Sequence, residues 1–471
     1  MITKINPYNT EVPGIEILKQ MPPETITEQL SEYLNVYNNC FIRTQQIKYF
    51  EAFERGLLSN LERKSIEPIA LSFLGEKEVR GMQQFFTRST GWDENLGKRY
   101  REKLAETLND NKGFLSVDES DFVKKGKDSV GVARQYCGRL GKTENCQAGV
   151  FLSYASERGM GLTDSRLYIP KEWFADDYKE KRADCQVPEE VTFKTKNEIA
   201  KEMINNILVS KLFEVECIGC DAAFGSDHTF LDSLPKNMYY FASVRENENI
   251  FREMPDVIIP ENTARKGGRF KHPRSLEQPV SIKTIINDES VPWVKRAIAE
   301  GAKGPVIAEV KCLRAVSCRK ENRLFTPKSE IWIYIRKHED GAIKYFISNL
   351  PPDTPVQELD RLATARWSIE QCFQECKSYL GMNHYETRTY QAWHRHMLMV
   401  MIAQLFVTIL RGFLKQFANL TMPMTKYIIA SQIPIPTKLE LILIIVYYRL
   451  HRNAEAYRSH RKKKIKILCS L

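Results

Sequence analysis

The chain has 471 residues, 27% of them charged and 43% hydrophobic, with a formal net charge of +10. This is an ordinary soluble composition, long enough for about two to four domains with ample core, and its positive balance suits a polyanionic partner without naming one. Neither secretion nor membrane insertion is expected: the N-terminal Met-Ile-Thr-Lys-Ile-Asn-Pro has no apolar leader, and the most apolar run, Met397 to Leu410, is short for a span and contains Gln404. The 11 cysteines are odd in number and scattered, which fits a reducing cytoplasm. Cys217-Ile-Gly-Cys220 has no second pair at zinc spacing, so a metal or redox role is not expected there.

Residues 1–110 read as helical. Thr25 to Leu34, Gln45 to Leu61 and Glu76 to Phe86 place apolar residues at helical spacing, and a further helix from about Trp92 to Leu108 carries Lys98, Arg99, Arg101 and Lys103. The Ser89-Thr90-Gly91 break reads either as a helix-turn-helix corner or as a plain bundle corner. This region is the expected N-terminal DNA-binding region.

After Gly113 the pattern changes. Phe114 to Val117 is strand-like and ends at Asp118; Cys146 to Tyr154 and Gly161 to Ile169 follow as strands. Phe193 to Phe213 is a helix, Val215 to Cys220 a fourth strand ending at Asp221, and Tyr239 to Val244 a fifth. Three strands, a helix and a further strand is the order of an RNase H-like α/β core. The expected fold is therefore a mixed sheet with flanking helices, residues 111–245 forming its first part.

Residues 246–348 read as a mostly β insertion, with alternating runs at Val306 to Val316, Glu330 to Ile335 and Lys344 to Ser348. It contains a basic loop with Arg265, Lys266 and Arg269, which reads either as a solvated linker or as a phosphate-backbone contact. The core resumes at 349–390 with a helix from Arg366 to Lys377. At about 100° per residue, Arg366, Glu370 and Lys377 lie within about 40° of one another. Ile369, Cys372, Phe373, Cys376 and Leu380 form an adjoining apolar stripe, and Gln371 and Glu375 are expected on the solvated far side. Residues 391–471 are helical and basic. His394 and His396 point to different helical faces and make a poor metal pair, and the terminal run carries Arg458, Arg461 and Lys462 as a solvated tail or a phosphate-binding arm.

Phosphodiester cleavage by two metal ions needs carboxylates converging from separate elements to hold divalent cations about 3.5–4 Å apart. Mg²⁺ prefers oxygen ligands and retains water, so two or three carboxylates suffice. Asp118, Asp221 and Glu370 meet that need, with Glu119 or Asp121, Asp227 and Glu375 as their respective local rivals. Arg366 and Lys377, on the Glu370 face, are then expected to grip phosphates next to the scissile bond; the plainer alternative is an Arg366–Glu370 helix pair with an unrelated lysine.

The spacing Arg366-x3-Glu370-x6-Lys377 resembles the Y-R-E-K signature of bacterial insertion-sequence transposases of the DDE class. Asp118-Glu-Ser with Lys124 to Tyr136, Leu167 to Trp173, Ala365 to Glu370 and His384-Tyr385-Glu386-x-Arg388 are similar to blocks of one branch, the DDE superfamily endonucleases, as is Asn453 to Lys464 at the basic end. The matches run from about Leu61 to Lys464. The signature's Tyr falls at Ala363, so no tyrosine phosphate contact is implied. The resemblance implies an RNase H-like core with a β insertion between the second Asp and the Glu. It also implies cut-and-paste DNA transposition with two Mg²⁺ ions, Mn²⁺ serving as a substitute. The implied partners are the terminal inverted repeats and target DNA, held by a homodimer in a bacterial cytoplasm at the nucleoid, with no membrane. Two other classes compete: a transposase-derived DNA-binding protein without catalysis, and a host RNase H-like nuclease.

Overall fold

The computed structural model describes residues 23–258, 274–301, 304–321, 324–415 and 420–469. Among these, five α-helices precede the first strand: α1 (Pro23–Asn35), α2 (Thr44–Leu58), α3 (Ile66–Phe73), α4 (Val79–Thr87) and α5 (Asp93–Leu108). The α3 helix has no counterpart in the sequence reading, because it is short and carries Pro68; a proline in the first helical turn removes no intrahelical hydrogen bond. The next elements are β1 (Phe114–Val123), β2 (Ala133–Cys137), β3 (Lys142–Ser156), β4 (Gly159–Tyr168), α6 (Lys179–Asp184), α7 (Lys196–Ser210), β5 (Cys217–Cys220), α8 (Ala222–Gly225), α9 (His228–Asp232) and β6 (Tyr239–Val244).

The core sheet is RNase H-like. A β1–β3–β4 meander is antiparallel, and β5 and β6 add to the other edge of β1 in parallel. Parallel neighbours require a crossover, and α7 supplies it, packed on β3 and β4. Thr195 and Glu198 close a capping box at its N-terminus, Glu198 accepting from the Thr195 amide at 2.8 Å. The first strand does not end at Asp118. It runs on to Val123 in register with β3, because Phe122 is buried and Asp121 accepts a hydrogen bond from the Gly138 amide at 2.7 Å.

From β6 the chain enters β7 (Asn249–Phe251), β8 (Val257–Ile258), β9 (Arg274–Ser275), β10 (Val280–Ser281), β11 (Val294–Gly301), β12 (Gly304–Glu321), β13 (Leu324–Lys337) and β14 (Ile343–Ser348). These strands continue the core sheet: β14 pairs antiparallel with β6, then β13, β12 and β7 follow outward. Two helices, α10 (Val356–Ala365) and α11 (Ser368–Tyr379), then lead to α12 (Tyr390–Leu414), α13 (Met422–Ser431) and α14 (Lys438–Cys469). Arg366 and Trp367 form the turn between α10 and α11, so the expected single helix begins two residues later than the sequence suggested.

The α11 stripe packs on β1, β3 and β4. Ile369, Cys372, Cys376 and Leu380 are fully enclosed there and Phe373 nearly so, a burial worth roughly 1.5–3 kcal/mol for each of the larger side chains. Glu375 is a correction: it is buried, because the far side of α11 is covered, and it pairs with Arg411 at 3.6 Å and with the Gln371 amide at 3.2 Å. The α12 helix is long and apolar enough to cross a membrane, yet 67% of its apolar window is buried inside the protein. Its Arg395 is 2% exposed, forks onto Asp93, donates to the carbonyls of Phe85, Phe86 and Ser89, and lies over the Trp92 ring. One side chain thus fastens the α4–α5 corner, Ser89 to Gly91, into the core. On α5, Arg99 pairs with Glu102 and Glu106, and Lys103 with Glu106, so these two cations are already matched along the helix.

Candidate active site

Asp118 and Asp221 come together because β1 and β5 are parallel neighbours. Val117 is in register with Cys220, and the two carboxylates follow at the next position of each strand. Asp118 is buried and accepts from the Glu119 amide at 2.7 Å. Asp221 caps α8, accepting from the amides of Ala223 at 3.0 Å and Phe224 at 3.2 Å. The close approach of α8 to β6 requires Gly225, where a Cβ would sit 2.0 Å from the Ser243 carbonyl oxygen.

Burial and the neighbouring Asp221 charge push the Asp118 carboxyl up to about 7, against the opposing pull of Arg366. Asp221 is also raised, chiefly by burial, although amide hydrogen bonds and Arg366 draw it down. Such paired carboxylates resist joint ionisation.

The buried Arg366 guanidinium links this pair to the third carboxylate. Its Nη2 contacts Glu370 and its Nη1 lies 3.8 Å from Asp118 Oδ2, without a hydrogen bond. Glu370 is half-exposed at the start of α11. Lys377, two turns further along the same face of α11, donates to the Asp121 carbonyl at 3.3 Å and sits over the Phe122 ring. Burial lowers its ammonium below the usual lysine range.

The rival carboxylates are engaged elsewhere. Glu119 pairs with Lys196, Asp121 accepts from Gly138, Asp227 caps α9 and accepts from Asn197, and Glu375 is held by Arg411. Lys196 was absent from the sequence reading; its place at the first turn of α7, facing β1, is set by tertiary structure alone. His396 is buried and His394 half-buried, and desolvation pushes both imidazoles down, to about 3 and about 4 respectively. His394 accepts from the Leu167 amide and His396 bonds to the Gly381 carbonyl, so both serve packing. Cys217 and Cys220 are buried free thiols raised by burial. Arg458, Arg461 and Lys462 project from α14 into solvent, whereas Arg265, Lys266 and Arg269 lie outside the described residues.

Among the described residues, no three His, Cys, Asp or Glu side chains converge closely enough to hold a metal ion as they stand. The donor chemistry nevertheless fits a hard divalent cation. Two oxygen donors of like charge are forced together, and a third is one guanidinium away.

A model of the DDE superfamily endonuclease family matches residues 36–305. A probable transposase for insertion sequence element IS701 from Microchaete diplosiphon is 28% identical over 240 residues, which is 50% of this chain and 58% of that protein. The chain thus spans somewhat over half the length of that curated relative. With the family match extending over more than half of the 471 residues and an RNase H-like sheet that sets two aspartates side by side, the chain belongs to the DDE superfamily endonuclease family.

Proposed function

We propose that the chain is a DNA transposase that binds the ends of an insertion sequence and catalyses cut-and-paste transposition. On this reading Asp118, Asp221 and Glu370 are the metal ligands, and Mg²⁺ is the natural ion, with Mn²⁺ as a substitute. Divalent cations at such a site supply activation of the attacking oxygen and stabilisation of the leaving oxygen in phosphodiester cleavage. Asp118 and Asp221 hold the shared position on the sheet. Glu370 joins them by exchanging its contact with Arg366, and the freed guanidinium is then placed to take a phosphate oxygen. Lys377, on the same side of α11, neutralises the backbone next to the cut.

The partners are double-stranded element ends and target DNA, held by two copies of the chain in the cytoplasm at the nucleoid. Arg265, Lys266, Arg269, Arg458, Arg461 and Lys462 contribute sequence-independent backbone attraction. The regions at 1–110 and 391–471 serve DNA binding and assembly around the core at 111–245 and 349–390, and 246–348 acts as an insertion that shapes the DNA path.

The observation that supports this reading most is the bridge from Asp118 through Arg366 to Glu370 beside Asp221. Asp118→Asn, Asp221→Asn and Glu370→Gln each remove a ligand charge while changing little shape. Each is expected to abolish Mg²⁺-dependent cleavage of a duplex carrying the element end, with end binding largely intact. Retained cleavage in any one variant removes that residue from the triad.

A further inference from the structure

The α4 helix turns a face outward that the core does not use. Val79, Met82, Phe85 and Phe86 bury one side of it. Arg80, Gln83, Gln84 and Thr87 lie together on the other side, within an arc of about 100°, and Arg88 follows at the helix end. Arg80, Gln83, Gln84 and Arg88 are exposed, and among the described residues their side chains have no partner. No carboxylate shares that face. The outer side of α5 is different, because Glu102 and Glu106 already match Arg99 and Lys103 there.

The α4 face lines a cleft of 740 Å³, to which α14 supplies Arg449 and Arg452 and the loop before α12 supplies Arg388. The two acids of the lining are neutralised: Glu67 pairs with Arg449 at 2.7 Å and Arg452 at 3.4 Å, and Glu386 with Arg63 at 2.9 Å. Two hydroxyls of the lining, Ser65 Oγ and Thr387 Oγ1, are buried with no hydrogen-bond partner among the described residues, and Ser65 is 2% exposed. Surplus arginines and idle hydroxyls are the groups that take up phosphate oxygens. The cleft has room for the backbone of one strand and none for a duplex. A duplex therefore rests across its mouth with one backbone ridge inside, which sets α4 at the groove beside that ridge. We propose that α4 reads the base sequence of duplex DNA from the major groove, with Arg80, Gln83, Gln84 and Arg88 as the specificity-determining residues. In that groove arginine forks onto guanine and glutamine onto adenine. The α3–turn–α4 unit presents its second helix as a helix-turn-helix does, so the reading helix precedes the Ser89–Gly91 corner instead of following it. The proposal rests on duplex DNA being the partner and is independent of the metal chemistry.

Selection from a randomised duplex library with the full chain tests it without assuming any element sequence. The native chain should enrich one motif. Gln83→Ala/Gln84→Ala should enrich a motif degenerate at one or more positions, bind the native motif roughly 10- to 100-fold more weakly, and bind a shuffled duplex as the native chain does. Arg88→Lys keeps the charge and loses the fork, so it should relax the motif without weakening binding to the shuffled duplex. Both variants alter only exposed side chains, and their thermal unfolding should match the native chain. A native chain that enriches no motif, variants that enrich the native motif, equal weakening on motif and shuffled duplexes, or tighter binding of single strands than of duplex overturns the proposal. Asp118→Asn, run in parallel, should lose cleavage and still enrich the native motif, so failure of the catalytic reading and failure of the base-reading assignment are seen separately.

Discussion

Replacing Asp118 with Asn should stabilise the metal-free protein, and the gain should depend on pH in a definite direction. In the folded chain, burial and the Asp221 charge raise the Asp118 carboxyl from its ordinary 3.8 to about 7. Between those values the folded state holds a proton that the unfolded state has released. The associated stability is fully present below about pH 4 and is lost as pH rises through 7, where the fold must carry a second buried charge beside Asp221. Each pKa unit corresponds to about 1.4 kcal/mol, which caps the cost at about 4 kcal/mol. Asparagine keeps the shape and a desolvated dipole, so a gain of about 1–3 kcal/mol at pH 8.5 is expected. Urea unfolding followed by tryptophan fluorescence suits the measurement, since Trp92, Trp173 and Trp393 are all fully buried. In EDTA the variant should be the more stable at pH 8.5, and the gap should narrow steadily from pH 7 towards pH 4. Adding Mg²⁺ should stabilise the native chain and leave the variant unmoved. A variant less stable than the native chain at pH 8.5, or a gap that widens on acidification, refutes the picture of two carboxylates held together under repulsion.

Arg366→Ala and Lys377→Ala should lower cleavage and weaken complexes with different end sequences about equally, each reducing the slope of log K against log salt by roughly one; an unchanged slope with normal cleavage returns both residues to a structural role. Arg395→Met should lower stability by about 3–5 kcal/mol, because Asp93 and three carbonyls lose a buried cation; a midpoint in chemical unfolding close to native counts against the lock. Gly225→Ala should cost about 1–3 kcal/mol through the clash at the Ser243 carbonyl and should also impair cleavage by moving the Asp221 cap, which parallel unfolding and cleavage assays will show.

Much of the fold could be read from local patterns. Strands β3 to β6 carry apolar runs bounded by turn residues, and the α11 stripe repeats at helical spacing, so the core order was accessible without coordinates. The adjacency of Asp118 and Asp221 followed from that order. Other features depend on contacts distant in sequence. That β1 continues past Asp118 depends on β3 and on Gly138. The fate of Glu375 depends on Arg411, on the next helix, which turns an apparently solvated charge into a buried one. The α3 helix hides behind Pro68. Most consequentially, the i,i+4 spacing of Arg366 and Glu370 signals a pair, but only the parallel register of β1 and β5 reveals that the same guanidinium also faces Asp118.

The Arg395 lock also bears on how this chain can be cut into pieces. Its anchoring partners, Phe85, Phe86, Ser89 and Asp93, lie some three hundred residues earlier in the chain, and Tyr100 of α5 reaches the Leu162 carbonyl on β4. A fragment beginning near residue 110 would strand a guanidinium that is 2% exposed in the intact fold and bare one flank of β4. The family match likewise begins at residue 36, inside the helical region. The leading helices therefore behave as a structural half of the catalytic body, and their removal is expected to yield an insoluble remnant rather than a nuclease stripped of its address.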